Sequence, residues 1–291
     1  MCEKYELTNE TIEVTGINGK EVITLHRIKA LKDFGYVKAG DLGGWIEKEY
    51  NLSHEGNAWV YGNAKVYGNA RVYDNAMVYG DALVFGNANV FGNAKVYGDV
   101  EVCGDAWVYG DAKVYGNARV YNHAKVYGDA NVFGHTWVRV SAKVYGDAEV
   151  YGNAEVYGDA EVYGNANVYD RAIVFGNAKV YGDAKVYDHA RVYDHAKVYG
   201  DVKVFGEAWI YSNAIIKSSK DFSLISNIGF ESITITFFRC EDGLIRVKCI
   251  HFHGTLDEFK TKVKATRNKP KLTKECLMLA DLMEARFDTE E

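Results

Sequence analysis

Polar and apolar positions recur with a period of six through the middle of this chain. From Gly56 to Lys217 the sequence repeats Gly-Asn/Asp-Ala-x-Val-Tyr in 27 consecutive units, and no unit gains or loses a residue. Ala at the third position and Val or Ile at the fifth lie two residues apart, so they share one face of a short strand. The residue between them varies freely and is often charged, which indicates a solvent face. Each unit therefore predicts a short strand with one buried face and one solvent-exposed face.

The first two positions of each unit predict a turn. Gly occupies 20 of the 27 first positions, and Asn or Asp occupies 20 of the second positions. These residues tolerate left-handed backbone angles, and Asn and Asp also bond their own backbone. Such frequent turns leave strands too short for a hairpin sheet, whereas three units can close a triangular coil. We expect about nine stacked coils, a rod of roughly 40 Å at ~4.8 Å per strand, with a core of Ala and Val.

The sixth position of the unit is aromatic, with Tyr in 19 units and Phe in five. Alternation points these rings outward beside the turn, and stacking of the coils predicts three ladders of rings along the edges. The rings either cover one another and shield the coil edge, or they form a surface for self-association or ligand stacking. The candidate binding residues on this surface are Trp107, Tyr109, Tyr115, Trp137 and Arg139.

Both ends of the repeat predict caps, because an open coil end is an exposed sheet edge. In the N-terminal cap, residues 1–55, two alternating segments flank the hairpin signal Asn18-Gly19, and the glycine-rich stretch 37–46 is predicted to enter the first coil. The repeat itself occupies residues 56–217. Residues 218–291 predict a capping α+β domain.

Within that C-terminal domain the pattern predicts two strands, at 232–239 and 244–252. A capping box at Thr255 and Glu258 predicts the start of a helix. Apolar spacing after Pro270 predicts a second helix.

The repeat Val60-Tyr61-Gly62-Asn63-Ala64-Lys65 resembles the hexapeptide signature of left-handed parallel β-helix proteins. The entry stretch 39–47 and the tail segment 254–259 resemble the YdcK-like hexapeptide-repeat proteins of bacteria and their phages. The resemblance implies a mainly β fold, a left-handed β-helix solenoid with an N-terminal β cap and a small C-terminal α+β domain. It also implies a homotrimer, since many members of this superfamily are trimeric acyltransferases. A fold alone says little about chemistry.

Acyltransferases of this fold resemble one another in using a histidine base near a subunit interface, which makes His123 and His135 the candidate catalytic residues. Both occupy the second position of a unit, where Asn or Asp is usual, so a role as a turn residue is the competing interpretation. The repeat has no inserted loop. A catalytic zinc site needs about three histidines, and no turn column places two of them on adjacent coils.

A metal-like cluster lies outside the repeat. Cys249, His251 and His253 alternate along one predicted strand, and Cys240 lies on the preceding strand. A thiolate and two imidazoles are zinc ligands. The same spacing also follows from a strand that faces a core, and no cofactor is predicted.

Composition excludes some partners. The net charge is −6, so we expect no general attraction to nucleic acid or to an anionic membrane. No apolar run approaches the length of a membrane span, and the start of the chain lacks the order of a secretion signal. The five cysteines are widely spaced without a CxxC motif, which is typical of reduced thiols and of a bacterial or phage-infected host cytoplasm.

The leading interpretation is a non-catalytic rigid scaffold or binding protein that acts through oligomerisation, or through a ligand or partner on the solenoid surface. One alternative is an acyltransferase-like enzyme. Another is a phage-type small-molecule binder that holds a nucleotide signal between subunits through stacked Tyr and basic residues.

Overall fold

The six-residue units form a solenoid of parallel strands. The structure is a computed structural model that describes residues 3–16, 19, 21–229, 232–266 and 269–288. Strands that neighbour each other on one face are partners 18 residues apart, as Lys95 and Lys113 are. This register confirms the predicted coil of three units.

Three faces, named A, B and C in chain order, make up each coil. The strands of face A are Leu42–Ile46, Lys65–Val66, Leu83–Val84, Glu101–Val102, Arg119–Val120, Trp137–Val138, Glu155–Val156, Ile173–Val174, Arg191–Val192 and Trp209–Ile210. Those of face B are Arg71–Val72, Asn89–Val90, Trp107–Val108, Lys125–Val126, Lys143–Val144, Glu161–Val162, Lys179–Val180, Lys197–Val198 and Ile215–Ile216. Those of face C are Trp59–Val60, Met77–Gly80, Lys95–Gly98, Lys113–Gly116, Asn131–Gly134, Glu149–Val150, Asn167–Val168, Lys185–Val186 and Lys203–Val204.

The interior of the solenoid is filled by the third and fifth positions of the units, as predicted. The alanines, valines and isoleucines at these positions, from Ala58 to Ile216, are all buried. The narrow bore depends on tight turns. At Gly80, for example, φ is +73° and an added Cβ would lie 2.8 Å from the backbone N of Gly98 on the next coil. Only glycine satisfies both conditions without strain.

One further turn precedes the 27 units. The strand Leu42–Ile46 pairs in parallel with Lys65–Val66, and Leu52 bridges Val72 on face B. A 3-10 helix, Glu49–Asn51, lies between them. The glycine-rich stretch therefore enters the solenoid as predicted. It also adds a turn to the nine coils that the repeat alone indicates, because its residues share the coil geometry without the six-residue pattern.

Two antiparallel strands, Tyr5–Thr15 and Val22–Ala30, cover the N-terminal end. The second of them pairs with Leu42–Ile46 and so continues face A. The predicted hairpin is confirmed in its strands, while Ile17, Asn18 and Lys20 of the turn lie outside the described residues. Lys4 is buried here, and its Nζ donates to the Ala58 carbonyl at 2.9 Å.

The C-terminal module covers the other end. Its antiparallel sheet consists of Phe222–Ile228, Ile233–Arg239, Ile245–Cys249 and Phe252–Thr255, followed by helices α1 (Leu256–Lys264) and α2 (Pro270–Phe287). Thr255 and Glu258 form the predicted capping box of α1.

The sheet of this module closes the solenoid. Phe222, Phe238 and Cys240 pack into the solenoid core, and the Trp209 backbone N–H donates to Thr236 Oγ1 at 3.2 Å. The last coil therefore has no open edge where the tail sheet lies against it.

Candidate functional site

Two of the three predicted ring ladders are continuous. Ladder B follows face B from Tyr73 to Tyr199 as eight parallel rings whose centroids lie 4.8–4.9 Å apart. Ladder C follows face C, with eight stacked rings from Tyr79 to Phe205. Because each ring covers the next, most of these side chains are only half-exposed.

Ladder A, which follows face A, is interrupted at two coils. Cys103 and Arg139 occupy positions where the repeat has a ring. Stacking joins Tyr67 to Phe85 and resumes only at Tyr157.

Arg139 fills its gap with a charged side chain. Its guanidinium lies 4.2 Å from the centroid of the Tyr157 ring, and its Nη2 lies 3.0 Å from Glu155 Oε2. The Nε is buried without a hydrogen-bond partner among the described residues. A guanidinium held by a ring and a carboxylate is fixed in orientation.

Cys103 is an unreactive thiol at neutral pH. Burial raises the pKa of this thiol to about 11, and the nearby Glu101 carboxylate adds to the rise. The thiolate is the nucleophilic form, so Cys103 is not an activated nucleophile. Cys240, Cys249 and Cys276 are also free thiols, and Cys2 lies outside the described residues.

A surface groove of about 720 Å³ runs across face A beside the interrupted ladder. We call it the face A groove. Its lining side chains come from four successive coils: Asp99, Glu101, Asn117, Arg119, His135, Trp137, Asn153 and Glu155. Arg119 pairs with Glu101 at 3.4 Å, and its guanidinium lies 5.7 Å from the Trp137 ring. Trp137 is 37% exposed.

The segment that carries Trp137 is also irregular in its backbone. Val140 has a φ of +65°, a conformation that β-branched residues rarely adopt. Thr136 replaces the usual alanine in the core, where its Oγ1 donates to the Phe133 carbonyl at 2.5 Å. Strain concentrated at one place often marks a functional surface.

The candidate histidines lie on different edges of the solenoid. His135 precedes a face A strand and lines the face A groove. His123 precedes a face B strand, with Nδ1 3.4 Å from Asp105 Oδ2. The structure therefore does not bring the two side chains together.

Of the five candidate binding residues, the structure brings Trp107 and Tyr109 into contact, with ring centroids 6.4 Å apart, and links Arg139 to the groove of Trp137. Arg139 pairs with Glu155, which lines the same groove as Trp137. Trp107 and Tyr109 lie on face B and ladder B, where Lys125 Nζ lies 4.6 Å from the Trp107 ring. Tyr115 belongs to ladder C.

The proposed alternation of Cys249, His251 and His253 on one strand is wrong. The strand ends at Cys249, the chain turns through Ile250 and His251, and a new strand starts at Phe252. Cys249 pairs with Phe252, and His253 pairs with Lys248. Cys249 therefore packs against the tail core, while His253 lies on the opposite face near Tyr211.

Neither these side chains nor any other described residues form a group of three or more metal-ligating side chains. A helix long and apolar enough to span a membrane is also not found among the described residues.

Sequence reasoning missed Glu101, Arg119 and Glu155 as parts of the site. Each occupies the variable fourth position, where a charged residue predicts only a solvated face. The available signal was the pair of exceptions at Cys103 and Arg139 in an otherwise aromatic column. Reading the exceptions at a spacing of 18 would have placed all five residues on four successive coils of face A.

The comparisons with known proteins concern the repeat. The sequence family described as the YdcK beta solenoid repeat matches residues 64–80 and 70–86. A 60-residue stretch is 40% identical to the Escherichia coli (strain K12) protein named "Uncharacterized acetyltransferase YdcK". That stretch covers 20% of this chain and 18% of the E. coli protein. This chain carries a YdcK-like β-solenoid repeat.

Proposed function

We propose that this protein is a rigid, non-catalytic scaffold that assembles with copies of itself through the face A groove. The observation that carries the proposal is the interruption of ladder A. Ladders B and C present a uniform row of stacked rings. Among the residues that the structure describes, only those of face A combine a broken ladder with an exposed indole and paired charges.

The scaffold role rests on stiffness. All coils share one continuous core of small and β-branched side chains, and backbone hydrogen bonds link each coil to the next. Such a rod keeps the distance between any two surface groups fixed, so a binding surface on it needs no ordering when a partner arrives.

The chemistry of the face A groove fits a protein interface. Trp and Arg are the residues most enriched where binding energy concentrates, and the groove contains Trp137 and Arg119 with Arg139 at its edge. Carboxylates and guanidiniums form ion pairs there. A surface that carries both signs of charge offers partners to both kinds of charged side chain on a neighbouring copy.

The favoured assembly is a trimer, as the resemblance to hexapeptide-repeat proteins implies. Sedimentation velocity and native mass spectrometry of the full chain test it. We expect a species of three chains, and we expect Trp137→Ala to weaken association at least tenfold. The matched control is Trp107→Ala on face B, because Trp107 is 40% exposed and lies outside the groove. A monomer at all concentrations would contradict the proposal, and so would equal loss in both variants.

Acetyl transfer is a second candidate, because the E. coli relative is named an acetyltransferase and His123 lies next to the Asp105 carboxylate. A carboxylate that orients an imidazole is the arrangement of a general base. Here we expect acetyl-CoA turnover that His123→Ala removes. His195→Ala is the control, since His195 occupies the same turn column between Asn177 and Asn213. Activity that survives in His123→Ala would exclude this histidine.

A further inference from the structure

A second groove lies where the solenoid meets the C-terminal module. Its volume is about 810 Å³, which lies in the range of small-molecule sites. One wall comes from the last strands of face C, and the other comes from the strand Phe222–Ile228 and helix α2. We call it the tail groove. It is separate from the face A groove, because the two share no lining residue.

An exposed aromatic ring lies in the tail groove. Phe205 is the last ring of ladder C, and its centroid lies 5.6 Å from that of Tyr187. Phe205 is 42% exposed, whereas the other rings of ladders B and C are half-buried. No further ring stacks on it among the described residues, so the ladder ends in a ring that is partly exposed. A planar aromatic group stacks well on such a surface.

The groove also gathers positive charge. Lys185 and Lys203 are direct partners on adjacent face C strands, and Arg286 of helix α2 lines the opposite wall. Asp201 is the acidic residue in the lining. The cations in the lining outnumber the carboxylate, which favours an anionic ligand.

Among the described residues, no carboxylate pairs with Lys185 or Lys203, whereas a similar row of lysines on face B has one. On face B, the Glu161 carboxylate lies 3.0 Å from Lys143 and 3.3 Å from Lys179. On face C, neither Lys185 nor Lys203 has an ion-pair partner among the described residues. Two adjacent ammonium groups without a carboxylate repel each other, and a bound anion removes that repulsion.

A polar atom in the groove wall is also without a partner. The hydroxyl oxygen of Ser223 is buried, and it has no hydrogen bond among the described residues. Buried hydroxyls are normally satisfied. A small shift of the groove wall would bring a ligand atom to this oxygen, which is buried in the structure.

From these contacts we infer that the tail groove binds a small aromatic phosphate monoester, a ligand of the nucleoside monophosphate type. Its planar ring stacks on Phe205 and continues ladder C by one ring. Its phosphate, which carries about 1.5–2 negative charges at neutral pH, lies between the Lys185–Lys203 pair and Arg286. Guanidinium and ammonium groups are the usual phosphate donors.

Calorimetric titration of the full chain with adenosine 5′-monophosphate tests the inference, with adenosine and inorganic phosphate as partial ligands. We expect saturable binding of the monophosphate, and affinity at least tenfold lower for either partial ligand. Absence of binding would overturn the site. Inorganic phosphate binding as tightly as the monophosphate would overturn the stacking, and equally tight adenosine would overturn the phosphate contact.

Variants separate this site from general charge attraction. Lys185→Gln/Lys203→Gln is expected to weaken binding at least tenfold. The matched control is Lys95→Gln/Lys113→Gln, because these lysines are also adjacent face C partners and lie outside the groove. Phe205→Leu keeps the charges and removes the ring, and it is expected to weaken binding about as much. Circular dichroism checks that each variant retains the fold. Equal losses in the two lysine pairs, or full affinity in Phe205→Leu, would overturn the inference.

Discussion

The guanidinium of Arg139 lies 4.2 Å from the centroid of the Tyr157 ring, in a position where ladders B and C have one ring stacked on another. The same guanidinium pairs with Glu155, so the missing ring is replaced by a fixed cation. The edges that ladders B and C follow have a stacked ring at this position instead of a charge. Arg139 therefore reduces ring stacking along ladder A and gives this edge a charged surface.

Placing an aromatic ring at position 139 should raise the stability of the fold and weaken self-association. Arg139→Tyr places a phenol between Tyr121 and Tyr157, and each new aromatic pair contributes about 0.5–1.5 kcal/mol. The lost surface ion pair with Glu155 and the lost cation–π contact with Tyr157 together contribute less than two such aromatic pairs. We expect a higher thermal midpoint by circular dichroism and at least tenfold weaker self-association by sedimentation velocity. A variant that is more stable and assembles as well as the wild type would place the interface elsewhere.

Replacing Val140 with glycine is predicted to stabilise the folded protein. A β-branched residue at φ +65° is strained by about 1–2 kcal/mol, and glycine adopts this angle freely. Part of the gain is offset by the greater entropy of glycine in the unfolded chain. We expect Val140→Gly to stabilise the protein by about 1 kcal/mol. Unfolding in guanidinium chloride measures this gain as a higher midpoint concentration.

The reverse change on the adjacent coil is the control for that measurement. Gly158 has a φ of +75°, and its added Cβ would lie 2.9 Å from the backbone N of Gly176. We expect Gly158→Val to lower the midpoint. If both variants moved the midpoint in the same direction, backbone strain would not be the cause.

Much of the fold follows from the period of the sequence. A repeat of six with Ala and Val two residues apart dictates the strands, the turns and the buried face. The same period places Tyr109 and Tyr115 in separate ladders, because only residues 18 apart meet on adjacent coils. The extra turn at Leu42–Ile46 escapes this reasoning. Its coil geometry comes from pairing with Lys65–Val66, and its own residues lack the pattern.

The candidate site is harder to predict from the sequence than the fold is. Glu101, Arg119 and Trp137 are neighbours only because their strands stack, and each one alone is an ordinary exposed residue. The tail groove needs even more, since Phe205 and Arg286 come together only through the packing of the C-terminal module on the solenoid. The wrong interpretation of His251 has a local cause. Pattern alone does not reveal the turn that reverses the chain between Cys249 and Phe252.

The first turn of the solenoid, the entry turn at Leu42–Ile46, contains a glycine position that has no room for a methyl group. An added Cβ at Gly44 would lie 2.6 Å from the Ala64 carbonyl oxygen and 2.7 Å from Val60 Cγ1. Overpacking of this kind typically costs about 1–3 kcal/mol, so Gly44→Ala should lower the thermal midpoint.

Gly62→Asn is the matched control for the entry turn, because Gly62 has a φ of +59° and nothing within 4 Å of its added Cβ. Asn tolerates that angle, and Asn122 adopts it at an equivalent corner. We expect a change below about 1 kcal/mol. A larger loss in Gly62→Asn than in Gly44→Ala would show that the close approach at Gly44 is not the determinant.

The tyrosine ladders predict a loss of stability at alkaline pH. Burial raises the pKa of Tyr193 to about 12, with a contribution from Asp194, and burial also raises the pKa of Tyr109 and Tyr115. The pKa of tyrosine in the unfolded chain is about 10. Above that pH the unfolded chain loses phenol protons that the folded chain keeps, so the free energy of unfolding falls.

The contribution of these tyrosines is therefore complete below about pH 10 and is lost as the pH rises toward 12. Lys4 acts in the opposite direction, because burial lowers its pKa to about 8. Relief of this buried charge stabilises the fold between about pH 8 and pH 10.5. For this reason the comparison is made between variants that share Lys4.

Thermal midpoints of the wild type, Tyr193→Phe and Tyr36→Phe between about pH 8 and pH 12 test the prediction. Tyr193→Phe keeps the ring that stacks between Phe175 and Tyr211 and removes the ionisable group, so its midpoint should fall less above pH 10. Tyr36 is 89% exposed, and Tyr36→Phe should follow the wild type. Absorbance at about 295 nm reports phenolate formation in parallel. Identical curves for Tyr193→Phe and the wild type would mean that phenol burial in ladder A does not govern the alkaline transition.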